Sequence, residues 1–162
     1  MELHRQPSGF ASYRNLGYAW LALCAAFALH ITDEALTGFL SVYNPTVVGL
    51  RNRLGYWPMP TFEFRLWLTG LIVAVVLLTG LTPLLFRGKR IVRPLFYLFA
   101  IIMLLNGITH IAGTIAGRTV PEVRFSRPMP GFYSSPFMIA ASVYGLLQLR
   151  KTARPHKTEG PS

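Results

Sequence analysis

Leu29-His30-Ile31-Thr32-Asp33-Glu34 lies inside the apolar run LGYAWLALCAAFALHITDEALTGFLSVY, Leu16 to Tyr43. An imidazole and two carboxylates stand where hydrocarbon is expected. On a helix, His30 and Glu34 are one turn apart on one face and Asp33 lies on its flank. Ionisable groups in an apolar span are costly, so they turn toward a bundle interior and mark a site. The front of the segment also has the outline of a secretory leader, a basic start followed by Ala26-Phe27-Ala28 as a cleavage-like triplet. The apolar pattern continues past the acids through Leu36, Phe39, Leu40 and Val42, which argues for an interrupted spanning helix instead.

The surrounding chain supports that reading. Hydrophobic residues make up 52% of the 162 residues and charged ones 14%, against about 25% charged in a soluble domain. The net charge is +10. The basic residues cluster between apolar runs, as topology signals do, and no basic patch is interleaved with aromatics on a polar face, so nucleic acid is not the expected partner. Cys24 is the single cysteine; it forms no internal disulfide and reads as a small packing residue.

The expected fold is all-α: an integral membrane bundle of four transmembrane helices with a short interfacial helix between the first and second. A polar basic lead-in covers 1–15, the transmembrane domain 16–149, and a basic disordered tail 150–162. The four spans fall at about 16–43, 62–86, 94–117 and 132–149, each long enough for a ~30 Å hydrocarbon core. Pro83 is expected to kink or stop the second. Gly113 and Gly117 on the third are expected to permit close helix packing. Residues 44–62, with Tyr56 and Trp57, read as the interfacial helix, and residues 118–132 as an Arg- and Pro-rich loop. Ten of the sixteen Lys and Arg residues lie in the N-terminus, the 87–93 loop and the tail, which places both termini in the cytoplasm.

Depth along the helices says more. His30 lies about 21 Å beyond Leu16 and His110 about 26 Å beyond Arg93, at ~1.5 Å per residue. The first and third spans run the same way, so both histidines sit at one end of the bundle. Asn106 is one turn from His110. Glu63 opens the second span at that end, and Tyr133-Ser134-Ser135 opens the fourth. Four stretches thus bring polar groups together, and His30 and His110 are expected to share a ligand.

Three chemistries fit. His30, Glu34 and His110 can ligate a divalent metal, zinc or iron, with an open position. His30, Asp33, Glu34 and His110 can instead do metal-free acid–base work, with Asn106, Glu63 and Tyr133 contacting a ligand. The cluster can also be a polar network that locks helices together. No nucleotide-binding loop, zinc-protease helix motif, nucleophile elbow or paired-cysteine motif is present. With four histidines, the eight or so required by membrane desaturases are missing. His30-x-x-Asp33-Glu34, with Asn106-x3-His110 and Pro130-Gly131 downstream, resembles the HXXEE-domain family of small multi-pass membrane proteins. That family is named for a His-x-x-Glu-Glu motif; here Asp33 stands for the first Glu. The resemblance covers about residues 20–145 and implies no defined reaction. A weaker similarity, in residue types alone, is to the emopamil-binding sterol isomerases. The expected function is a membrane-embedded metal-dependent or acid–base enzyme, a hydrolase or an isomerase, acting on a lipid or other apolar small molecule. The alternatives are a non-catalytic ligand- or ion-binding membrane protein and a purely structural one.

Overall fold

The computed structural model describes residues 8–153. Six helices and one small hairpin follow in order: α1 (Ser8–Thr37), α2 (Leu40–Leu54), α3 (Phe64–Gly80), α4 (Thr82–Phe86), a 3₁₀ turn (Arg90–Val92), α5 (Arg93–Ala116), β1 (Arg118–Val120), β2 (Val123–Arg124) and α6 (Ser135–Ala153). α6 packs along both α1 and α5, α1 also packs on α3 and α4, and α2 rests on the hairpin.

Trp20 ties these helices together. It is fully buried, sits edge-on against Phe96 at 5.0 Å and Phe99 at 5.6 Å, and donates its indole N–H to the Leu78 carbonyl at 3.0 Å. An indole needs such a partner when buried. Close approach of α5 and α6 depends on small residues: a Cβ on Gly107 would lie 2.8 Å from Ile139, and one on Gly145 2.9 Å from Phe96. Gly113 and Gly117, the expected packing glycines, do something else. Gly113 makes room for Met129 of the loop, and Gly117 ends α5 with φ 68° under the Arg127 side chain.

Among the described residues, three helical segments, not the expected four, are long and apolar enough to cross a membrane: Tyr13–Thr37, Phe64–Phe86 and Arg90–Ala116. The exception is α6, which carries buried Ser135, Ser142 and Gln148 and ends on Arg150 and Lys151. Clasped between α1 and α5, it meets protein along much of its length and needs less apolar surface. α3 is the opposite case. Leu66, Ile72, Val73, Val76 and Leu77 are all exposed, an outward face that suits hydrocarbon.

Other boundaries moved for local reasons. The first apolar segment breaks at Gly38, whose φ of 76° only glycine adopts without strain. The Phe39 N–H then bonds back to the Glu34 carbonyl at 2.9 Å. α2 starts at Leu40, earlier than expected, and keeps Pro45 inside it at the loss of one backbone hydrogen bond. The second span breaks at Leu81, just before Pro83, close to the expected kink. α1 begins at Ser8, so part of the expected lead-in is helical, and α6 runs on to Ala153. The rest of the lead-in and of the tail lies outside the described residues. The 118–132 loop contains a hairpin pairing Arg118 with Arg124 and Val120 with Val123. Strands of two or three residues leave no periodicity to read.

Candidate metal centre

The site forms where α1, α5 and the turn into α6 meet. His30, Glu34 and His110 are 1%, 4% and 3% exposed. The imidazole centroids are 4.7 Å apart at 77°. Glu34 Oε1 lies 3.3 Å from His30 Nε2 and 3.2 Å from His110 Nε2. The expected shared site of His30 and His110 is therefore present, with Glu34 between them. One potential ligand atom from each of the three residues lies within 4.8 Å of the others.

Hydrogen-bond partners on the far side of each ring fix its proton. His110 Nδ1 faces the Pro130 carbonyl, which can only accept, so Nδ1 carries the hydrogen. His30 Nδ1 is 2.8 Å from Ser134 Oγ. The Ser134 hydroxyl proton goes to Asp33 Oδ2 at 2.8 Å or to the Gly131 carbonyl at 3.2 Å. Its lone pair thus faces His30, and His30 Nδ1 is also a donor. Both neutral rings then aim bare Nε2 lone pairs at a carboxylate oxygen. Three acceptors converge with no hydrogen among them, and His30 Nε2 is a buried atom without a hydrogen-bond partner among the described residues. Such a centre requires a cation, whether a metal ion or added protons. Metal-bound histidines commonly have the other ring nitrogen donating to a carbonyl or carboxylate; His110 does so directly and His30 reaches Asp33 through the Ser134 hydroxyl.

No family model, curated protein or solved structure matches this chain. The site's chemistry is therefore read from its own geometry.

Of the other expected site residues, Asp33 comes nearest. Its carboxylate accepts both the backbone N–H and the hydroxyl of Ser134, each at 2.8 Å. It is an orienting group rather than a fourth member of the cluster, and it sits at the start of α6, where the helix dipole favours an anion. Asn106 is half-buried and lines an apolar groove of about 620 Å³ with Phe39, Val42, Tyr43, Thr46 and His110. Glu63 is exposed at the N-cap of α3 and caps nothing with its side chain. Tyr133 is 63% exposed and turns away, while its neighbours Ser134 and Ser135 turn in. Glu63 and Tyr133 are therefore not brought to the cluster.

Two features were missed. Ser134 is the link between Asp33 and His30. Gly131, with φ 84°, presses its backbone between the imidazoles; a Cβ there would fall 2.7 Å from His110 Cε1 and 2.9 Å from His30 Cε1. The Ser135 hydroxyl holds the Gly131 carbonyl at 2.7 Å. The Phe39 ring covers His110 at 5.8 Å and stacks on Trp67 at 5.9 Å, shielding the site from the side of α2 and α3. Tyr43 donates to the Pro60 carbonyl at 3.0 Å. Burial holds its phenol above the ordinary range, partly offset by Arg51, so it stays a donor.

Proposed function

We propose that the protein is a multi-pass membrane enzyme whose His30, Glu34 and His110 hold one zinc ion and which acts on an apolar substrate lying in the groove beside His110. The observation that carries this reading is the meeting of two imidazole lone pairs and a carboxylate oxygen with no donor between them. Two imidazole nitrogens and a carboxylate oxygen are ligand types that zinc takes, and the three atoms lie within 4.8 Å of one another. Two histidines and one acidic residue leave a coordination position open, the pattern of catalytic rather than structural zinc. Zinc there would supply Lewis acidity toward a carbonyl or phosphoryl oxygen and lower the pKa of a bound water, which favours hydrolysis. Asp33 and Ser134 orient His30, the Pro130 carbonyl orients His110, and the aromatic wall limits water. The groove touches the cluster through His110 and offers a mostly apolar lining with a few polar groups, the composition of a small-molecule site. Within this reading the chain is a variant of the HXXEE-domain family in which Asp33 serves as the orienting acid.

Elemental analysis of detergent-purified protein is expected to find about one zinc per chain, and none in His30→Ala, His110→Ala. One iron per chain would keep the site and change the metal. A metal-free protein, after purification without chelators, would overturn the metal reading and leave a centre filled by protons.

The multi-pass arrangement has its own test. On a Cys24→Ser background, Lys89→Cys should label from one side of the membrane and Asn52→Cys and Phe125→Cys from the other. Labelling of positions 89 and 125 from the same side would refute a spanning α5.

A further inference from the structure

Beside the apolar groove lies a second pocket of about 490 Å³, lined by Ala116, Gly117, Arg118, Arg124, Phe125 and Arg127. Ala116 and Arg118 line both cavities, so the two adjoin. Three arginines and no carboxylate line the second one. Arg118 and Arg124 are register partners across the antiparallel hairpin. Like charges directly opposite one another destabilise such a pair. Other arginines near this end are committed: Arg53 pairs with Glu122 at 2.7 Å, and Arg51 donates to the Met59 carbonyl at 2.6 Å. Arg127 gives one N–H to the Ile115 carbonyl and keeps its remaining donors. Among the described residues, Arg118, Arg124 and Arg127 have no acidic partner within 4.0 Å.

We infer that this pocket binds the anionic headgroup of a lipid whose acyl chain lies in the groove and passes His110. The inference deepens the proposed function by naming its substrate class as an anionic amphiphile with a phosphate or carboxylate head. Charge complementarity selects the occupant. Guanidiniums bind both anions in a forked geometry, and the adjoining apolar groove fits a chain. A water-soluble anion would leave that groove unused.

The test is binding of hexadecyl phosphate, hexadecyl phosphocholine and inorganic phosphate to the detergent-purified full chain. The expected result is at least tenfold tighter binding of hexadecyl phosphate than of the zwitterion, lost in Arg118→Gln, Arg124→Gln. Lys89→Gln, Arg90→Gln removes the same charge at the other end of α5 and should leave the preference intact. Ala112→Trp, which fills the groove, should weaken both lipids. Competition by inorganic phosphate as strong as by hexadecyl phosphate would show a free-anion site and overturn the lipid assignment. Equal binding of the two lipids by the wild type, or equal loss in both charge variants, would overturn it as well. Binding is read apart from metal content: a metal-free protein that keeps the preference sinks the zinc reading alone, and a zinc-loaded protein without it sinks this one alone.

Discussion

Gly131→Ala is expected to abolish metal binding and to destabilise the protein by about 2–5 kcal/mol. Two costs combine. An L-residue forced into the left-handed region costs about 1–2 kcal/mol, and overpacking costs about 1–3 kcal/mol. Here φ is 84°, and the new methyl would meet ring atoms of both His30 and His110 inside 3 Å. Those rings cannot retreat without losing Ser134 or the Pro130 carbonyl. Gly55→Ala is the control. Gly55 has φ 71° and nothing within 4 Å of its Cβ position, so it should show the backbone cost alone and keep its metal. The melting temperature and metal stoichiometry of both variants decide the matter. If Gly131→Ala matches Gly55→Ala in both, the glycine does not shape the site.

The second large effect separates a working site from structural glue. Glu34→Leu alone should destabilise the apo protein by about 3–5 kcal/mol, the usual result of removing one member of a buried charged cluster. Without the carboxylate, the protons that fill the apo centre lose the anion that holds them between the two rings. Replacing His30, Glu34 and His110 together by Leu removes all three converging acceptors. The Ser134–Asp33 bonds survive, while the Pro130 carbonyl and the Ser134 hydroxyl oxygen each lose one donor. Buried charged groups can often be exchanged for apolar residues of similar size at little or no loss. The triple variant should therefore melt within about 1 kcal/mol of the apo wild type, or above it, and bind no metal. A fall as large as that of Glu34→Leu would mean that the cluster mainly holds α1 to α5.

The core of this site was legible because helical spacing is a strong local rule. His30 and Glu34 had to share a face, and counting residues along parallel helices brought His110 to their level. Asn106 shows the limit of the rule. One turn before His110, it is rotated about 40° and faces the groove instead. Glu63 and Tyr133 sit at helix entrances, where burial depends on how the chain enters the bundle rather than on periodicity. Nothing local told Tyr133 from Ser134, yet the structure buries the second and exposes the first. Gly131 was visible as part of a Pro-Gly turn but not as the floor under two imidazoles. The contact with His30 joins residues about a hundred positions apart in the chain. The fourth span falls short of the other three in apolar composition because α6 turns Ser135, Ser142 and Gln148 inward, while Phe137, Val143, Tyr144 and Leu147 keep its outer face apolar.

The bond between His30 and Ser134 spans 104 residues, and that separation has a meaning in time. A ribosome adding about 5–20 residues per second delivers Ser134 roughly 5–20 seconds after His30. During that interval α1 holds an imidazole and two carboxylic acids without the partners that α5 and the turn into α6 supply. Entry of α1 into lipid is then opposed by the very residues that later define the protein, and it becomes favourable as α5 and the turn into α6 arrive. The candidate metal centre thus closes late, only once the turn into α6 has been made, and until then its residues weigh on the insertion of α1.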